Sequence, residues 1–289
     1  MAQAKYRDSL FRHYFMDDKR RLLSLLNALL GTTGDDPDEI EINTLDGLFF
    51  SAVKNDISCV FQNRQLILLE HQSTLNENMP MRMLFYLVEL MKRKVNPSTQ
   101  VFDEPLITFP APKFFVIYNG LKKAPEQREM NLSDAFNGSS TINLKVQFLN
   151  VNAGHNRELI AKSKSLSNYC IFVDRVAYNR KRGMSIKEAI REAMEYCIRE
   201  GVMADYLRVN FKEAMNMYWF EYNADEEREA IERGAFNRGV KQGIEQGAKQ
   251  NKLEMIKNLV KAGTPLNFIK KATGWTEEQI LAVAGADNA

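Results

Sequence analysis

The spacing of apolar positions changes along the chain, and each change predicts a different kind of element. Between Leu10 and Leu29 apolar residues recur at about every third or fourth position, and Gly31 follows. This spacing places them on one helix face, so we expect a helix over residues 5–30. A second helix is expected over residues 79–95, with Pro80 in its first turn. Short apolar or alternating runs predict strands at residues 39–45, 56–62, 65–73, 113–118 and 143–151.

These elements predict an α/β architecture. A helix between two strands lets the later strand join the sheet in parallel, so we expect a mixed sheet of four or five strands, flanked by the helices at 5–30 and 79–95. The runs at 56–62 and 65–73 predict a hairpin whose two-residue loop is Asn63-Arg64. In that hairpin, residues whose numbers sum to about 127 face each other.

The C-terminal half of the chain has a helical pattern. Residues 157–223 are helical throughout, and Ser185 is placed to cap one helix. Residues 225–251 are charged and poor in large apolar side chains, and they carry glycines at 239, 243 and 247. This segment is either a flexible, weakly helical linker or a soluble helix that packs closely against a partner. The predicted divisions are a core over 1–155, a helical extension over 156–224, the glycine-punctuated segment over 225–252 and a small helical module over 253–289.

The terminal module needs a partner for its apolar residues. Its helices, expected at 253–261, 265–273 and 277–284, are too short to be stable alone. A second copy of the chain would supply the missing surface, which predicts a homo-oligomer, although the helix-turn-helix appearance leaves DNA docking open. The residues expected to be buried are Ile256, Leu259, Val260, Leu266, Ile269, Trp275, Ile280 and Leu281.

Composition excludes several classes of protein. The 289 residues are 45% hydrophobic and 26% charged with a net charge of +2, so the chain is neither disordered nor polybasic overall. Its 3 cysteines are widely spaced and form no CxxC pair, which excludes a disulfide scaffold and a zinc ribbon. No apolar run approaches the ~18 residues of a membrane span, and the start of the chain has no apolar leader segment. We expect a cytoplasmic protein with no membrane partner.

Acidic residues meet at one end of the predicted hairpin. Asp56 begins one strand, while Glu70 and Gln72 end the next and share a face because they are two residues apart. Two carboxylates, an amide and the backbone carbonyl of His71 are the oxygen-rich set that Mg²⁺ or Mn²⁺ prefers. Acidic residues at strand ends are often only solvated. Here, however, the apolar run before Glu70 indicates burial, and a buried carboxylate needs a partner.

Several short motifs accompany these acidic residues. They are Asp56, Leu68-Leu69-Glu70-His71-Gln72-Ser73, Met81-Arg82-Met83-Leu84-Phe85-Tyr86, Pro105 and Phe115-Val116-Ile117-Tyr118-Asn119-Gly120. Through them the chain is similar, over roughly residues 1–225, to the Rpn recombination-promoting nucleases, also called YhgA-like transposases, of the PD-(D/E)XK superfamily. This resemblance implies a restriction-endonuclease-like mixed sheet, a Mg²⁺-dependent endonuclease (Mn²⁺ being an alternative ion) that cleaves DNA, and a metal site made by Asp56 and Glu70 with Gln72.

One position departs from the superfamily pattern, because Gln72 stands where a lysine is usual. A glutamine orients water or phosphate by hydrogen bonds but supplies no positive charge. Lys54, Arg64 and Arg82 are the candidates for the missing cation. Arg82 and Tyr86 lie four residues apart on one helix face, where they either hold a phosphate or Glu70, or form a surface pair.

Two further features have two interpretations each. The side chain of His71 points away from Glu70 along the strand, which favours a packed core histidine over a general base. Between residues 157 and 182 seven basic residues outnumber two acidic ones, which is either a phosphate-binding face or a solvated helix. The competing function is a non-catalytic DNA-binding or interaction protein built on a decayed nuclease fold. The basic residues are Arg157, Lys162, Lys164, Arg175, Arg180, Lys181 and Arg182.

Overall fold

The computed structural model describes residues 9–44, 56–95, 100–102, 105–138 and 140–285. The chain divides into two compact units, Met1–Asp225 and Glu226–Ala289. The described helices are α1 (Leu10–Met16), α2 (Lys19–Leu30), α3 (Met79–Lys94), α4 (Arg157–Lys162), α5 (Lys164–Lys181), α6 (Ile186–Arg199), α7 (Ala204–Lys261), α8 (Leu266–Thr273) and α9 (Glu277–Gly285).

A mixed sheet forms the centre of the first unit, as predicted. Its order is β1-β2-β3-β4-β6-β5; β3, β4 and β6 are parallel, and the other neighbours are antiparallel. Within the described residues it has six strands rather than four or five. Their bounds are β1 (Ile40–Ile42), β2 (Ile57–Phe61), β3 (Gln65–Gln72), β4 (Ala111–Tyr118), β5 (Gln127–Asn131) and β6 (Lys145–Asn150).

The strand that the sequence did not reveal is β5. Its residues, Gln-Arg-Glu-Met-Asn, bury only Met130 and pair with one neighbour at the edge of the sheet. Edge strands often carry charged side chains, which discourage pairing with other chains. A polar pentapeptide of this kind has no apolar alternation from which a strand could be inferred.

Helices cover both faces of the sheet and create two separate cores. Side chains such as Cys59, Ile67 and Leu69 pack with α1, α2, α5, α6 and the start of α7. Alternate residues, such as Leu66 and Leu68, face α3 on the other side. This alternation follows from the two-residue repeat of a strand, and it places the N-terminal helices and α3 on opposite faces.

The helix expected over residues 5–30 is two helices instead of one. The break falls at Asp17 and Asp18, and the Asp18 side chain caps α2 by accepting a hydrogen bond of 2.8 Å from the backbone N–H of Arg20. Aspartate favours an N-cap because its side chain competes with the helix for backbone donors. The apolar spacing continues across the break, so the sequence pattern did not indicate that the two aspartates end one helix and begin the next.

The β2–β3 loop has three residues, 62–64, where a two-residue loop at Asn63-Arg64 was expected. Gln62 and Asn63 occupy the left-handed region, with φ of 53° and 52°, and the N–H of Arg64 donates to the carbonyl of Phe61 at 3.1 Å. Paired residues therefore sum to 126, as in Ile57 with Leu69. The one-residue correction places Asp56 directly beyond the last pair, in line with Glu70.

The helical segment begins as predicted. Ser185 forms a capping box with Glu188 at the start of α6. The backbone from Ala204 to Lys261 is helical, with a non-helical residue at Asn210, so residues 225–252 are helix where the sequence left helix or linker open. No helix in the described part of the chain is long and apolar enough to cross a membrane.

The second unit has its own small core. Ile256, Ile269 and Ile280 are fully buried in it, and Thr276 and Gln279 form a capping box at the start of α9. Four of the other residues expected to be buried pack against this core: Leu259, Val260, Leu266 and Trp275. Leu281 was predicted to be buried but is 53% exposed, because it follows Ile280 on the outward face of a short helix.

Candidate functional site

The register of the hairpin brings the predicted acidic residues together. The backbone N–H of Asp56 donates to Glu70 Oε1 at 3.1 Å, and the backbone N–H of His71 donates to Asp56 Oδ2 at 2.7 Å. Gln72 Nε2 donates to Glu70 Oε2 at 3.3 Å. Asp56, Glu70 and Gln72 therefore form one hydrogen-bonded group, which we call the carboxylate site, at the carboxyl end of β3.

One cation from α3, Arg82, is hydrogen-bonded to the carboxylate site. Arg82 Nη2 donates to Glu70 Oε2 at 2.8 Å and to the Tyr86 hydroxyl at 2.8 Å, and Arg82 Nε donates to the same hydroxyl at 3.1 Å. Arg82 lies in the first turn of α3, so the four-residue spacing to Tyr86 stacks the two side chains. The sequence left open whether this pair holds a phosphate or Glu70, or is only a surface pair. In the structure Arg82 is hydrogen-bonded to Glu70.

The structure places one of the other two candidate cations far from the carboxylate site, and it does not describe the other. Arg64 lies in the β2–β3 turn, six strand residues or about 20 Å from Glu70, so its assignment to the carboxylate site was wrong. The predicted hairpin already implied this separation, because it placed Arg64 in the loop and Glu70 at the far end of the second strand. Lys54 falls outside the described residues.

The side chain of His71 lies on the opposite face of the sheet from Glu70, in the core, as expected from strand alternation. Its ring stacks on Phe11 with a centroid distance of 4.7 Å, and its Nδ1 lies 3.3 Å from Glu221 Oε1. The N–H and C=O of one strand residue point to the same side. Since the His71 N–H reaches Asp56, its carbonyl also faces the β2 side of β3, where it was expected.

Burial dominates the electrostatics of the two carboxylates. Loss of solvent raises the pKa of Glu70, the nearby charge of Asp56 raises it further, and Arg82 opposes both effects. Burial likewise raises the pKa of Asp56. Burial raises the pKa of Tyr86 to about 12, so its hydroxyl keeps its proton at neutral pH. Among the described side chains that hydrogen-bond within the carboxylate site, two carboxylates meet one guanidinium, that of Arg82.

Two residues near the carboxylate site carry no sequence signal. Glu221 on α7 raises the pKa of Asp56 through its charge, while Arg12 on α1 lowers it; both effects are smaller than that of burial. Arg12 and Glu221 lie 44 or more positions from Asp56 in the chain. Only the packing of α1 and α7 against the sheet brings them close, and neither belongs to a recognisable motif.

The donor set fits a small divalent cation. Asp56 and Glu70 are carboxylates with raised pKa values, and the His71 carbonyl faces the same side of β3. A hard ion such as Mg²⁺ or Mn²⁺ binds oxygen donors of this kind and offsets their charge. Among the described residues, no group of three or more histidine, cysteine or acidic side chains is arranged around one point. Water and substrate oxygens would therefore fill the remaining positions.

The basic stretch over 157–182 is partly used for packing. Arg175 Nη2 donates to Glu192 at 3.1 Å and lies 4.1 Å from the Tyr196 ring centroid, and Arg180 donates to the Met184 carbonyl at 2.7 Å. These contacts tie α5 to α6 and its flanking loop. The remaining five basic side chains are exposed, so the available charge is smaller than the sequence count.

Comparisons with known proteins give no match: no family model, no curated protein and no solved structure is similar to this chain.

Proposed function

We propose that residues 1–225 form a divalent-metal-dependent DNA endonuclease of the PD-(D/E)XK type, related to the Rpn nucleases. The observation that supports this most directly is the hydrogen-bonded group of Asp56, Glu70 and Gln72 at the end of the β2–β3 hairpin. Burying two carboxylates costs stability, and binding of a cation would offset this cost.

Asp56, Glu70 and the His71 carbonyl would hold the ion. When bound, Mg²⁺ supplies Lewis-acid polarisation of a scissile phosphate and lowers the pKa of a coordinated water. Gln72 Nε2 already donates to Glu70 Oε2 and so fixes the direction of that carboxylate. A neutral amide in this place orients groups without competing with the ion for charge.

Arg82 is the best-placed substitute for the lysine of the superfamily pattern. Its guanidinium approaches Glu70 from α3 and is steadied by the Tyr86 hydroxyl. A guanidinium presents several donors in a fixed fork, and one edge can pair with a carboxylate while another meets a phosphate oxygen. In this proposal Arg82 draws the scissile phosphate toward Glu70.

A second candidate function is a non-catalytic DNA-binding or interaction protein on a decayed nuclease fold. The observation that favours it is the 2.8 Å ion pair between Arg82 and Glu70, because an arginine that neutralises Glu70 reduces the demand for a metal ion. The two functions make opposite predictions about metal binding.

Cleavage of fluorescent double- and single-stranded DNA with Mg²⁺ or Mn²⁺ tests the proposal. We expect Glu70→Gln and Asp56→Asn to lose activity by roughly 100-fold or more, since each removes a charged oxygen donor. Glu77→Gln is the matched control, because Glu77 is exposed and pairs with Arg128 away from Glu70. Mn²⁺ titration calorimetry should show binding that Glu70→Gln abolishes. If the wild-type protein binds DNA but neither cleaves it nor binds metal, the endonuclease is rejected and the second function is favoured.

A further inference from the structure

Three helices close on the ring of His71. The side chain is 2% exposed. Phe11 on α1 stacks on the ring at an interplanar angle of 9°, the Tyr169 hydroxyl on α5 lies 3.3 Å from Nε2, and Glu221 Oε1 on α7 lies 3.3 Å from Nδ1. Both nitrogens of the imidazole therefore have polar partners in an otherwise apolar core.

The partners favour one tautomer of the ring. A carboxylate oxygen accepts hydrogen bonds, so a proton on Nδ1 would point at Glu221 Oε1. In that tautomer Nε2 accepts a hydrogen bond from the Tyr169 hydroxyl. Burial raises the pKa of Tyr169 well above its usual value, so this hydroxyl retains its proton. The orientation of the ring thus depends on Glu221.

The backbone of His71 links this cluster to the carboxylate site. Its N–H donates to Asp56 Oδ2 at 2.7 Å, and the residues on either side of it are Glu70 and Gln72. The last β2–β3 pair is Ile57 with Leu69, so β2 no longer pairs with β3 at this point. The ladder with β4 continues to Gln72, so clamping the ring of His71 adds support on the β2 side of the end of β3, where the Asp56 carboxylate is bound.

Packing alone does not explain Glu221. Its second oxygen, Oε2, is buried and has no hydrogen-bond partner among the described residues. Its charge also repels that of Asp56. An unsatisfied buried oxygen costs free energy, and an apolar side chain of similar size would avoid both this cost and the repulsion. The contact with His71 is the interaction that sets Glu221 apart from such a replacement.

We propose that Glu221 is a positioning residue of the carboxylate site: it holds His71 in the Nδ1-protonated orientation, and the His71 N–H in turn holds Asp56. The catalytic consequence of this arrangement rests on the proposed nuclease function, whereas the arrangement itself does not.

Nuclear magnetic resonance at one fixed pH near neutrality tests the arrangement without any assay of activity. Long-range ¹H–¹⁵N spectra of the wild-type protein should show a proton on His71 Nδ1. In Glu221→Ala the ring loses its acceptor, and we expect the His71 amide, which donates to Asp56, to exchange with solvent about 10-fold faster. Glu221→Gln retains an acceptor oxygen and should restore most of this protection. Glu213→Gln, on the same helix, is the control and should change neither signal.

The outcomes separate this inference from the proposed function. A wild-type ring whose only proton is on Nε2, or unchanged amide exchange in folded Glu221→Ala, would overturn the inference. If Glu221→Ala does not fold, the position of the His71 ring proton in the wild-type spectrum still decides it. Should the wild-type protein cleave DNA, Glu221→Ala is expected to lower kcat about 10- to 100-fold with little change in KM, and Glu221→Gln to recover part of that loss. Absence of cleavage by the wild-type protein rejects the nuclease alone.

Discussion

Glu70 carries a charge that its surroundings disfavour. Its pKa is raised first by burial and then by Asp56, so the folded protein binds this proton more tightly than the unfolded chain does. Stability that depends on Glu70 is therefore fully present below the ordinary glutamate pKa of about 4.3, and it is lost as the pH rises through the higher folded value. The same buried carboxylate that suits a metal ion is a source of instability without one.

We predict that Glu70→Gln stabilises the metal-free protein at pH 8 by on the order of 2 kcal/mol, because glutamine imitates the neutral acid. Its amide oxygen can still accept the hydrogen bond from Arg82. Urea denaturation at pH 5 and pH 8 measures the effect, which should be small at pH 5. The exposed Glu77→Gln serves as the control. Equal destabilisation at both pH values would show that the charge of Glu70 is not unfavourable.

At the scale of residues, the sequence predicted the contacts between residues that are close together in the chain. Asp56, Glu70 and Gln72 follow from the hairpin, and the Arg82–Tyr86 pair follows from helical spacing. Arg12 and Glu221 could not be predicted, since their proximity to Asp56 depends on how distant helices pack. The binding of a metal ion and of DNA stays a prediction.

At the scale of elements, the ends of β3 and β4 approach unusually closely beside the carboxylate site. A Cβ atom at Gly120 would lie 1.7 Å from the backbone carbonyl oxygen of Ser73, the residue after Gln72. A carbonyl oxygen cannot rotate away as a flexible side chain can. Gly120 therefore permits the carboxyl ends of the two parallel strands to meet.

We predict that Gly120→Ala destabilises the first unit by about 2 kcal/mol or more, since the strand ends must separate to admit a methyl group. Thermal unfolding followed by circular dichroism measures the loss. Gly34→Ala is a matched control, because a Cβ there meets its nearest neighbour at an ordinary 3.6 Å. A similar melting temperature for both variants would contradict this account of Gly120.

The elements that sequence patterns located well are those with strong apolar periodicity. β3, β4, β6 and α3 lie within a few residues of their predicted positions. The errors fall where a local signal competes with the pattern. Acidic capping divides the N-terminal helix, left-handed residues displace the β2–β3 turn, and β5 has too few apolar residues to show alternation.

At the scale of the whole molecule, the second unit exposes an apolar face on α7. Phe236, Val240 and Ile244 are 71%, 44% and 68% exposed, and they recur every fourth residue. Gly239, Gly243 and Gly247 each follow one of them by three positions, and a Cβ at these glycines would meet nothing within 4 Å. Residues three and four apart share a helix face, so this apolar and glycine stripe is continuous.

Such a face gives the expected self-association of the tail a specific location. Large side chains of one helix fit beside the glycines of another, and two-fold pairing is the commonest way for a chain to cover its own apolar surface.

We predict that light scattering shows a dimer for the full chain. Val240→Glu should shift it toward monomer, raising the dissociation constant by roughly 10-fold or more, since it buries a charge in the contact. Gln242→Glu adds the same charge on the opposite side of the helix and should leave the dimer intact. A truncation to residues 1–224 should be monomeric. A full-length monomer, or a dimer that survives both Val240→Glu and the truncation, would place self-association elsewhere or exclude it.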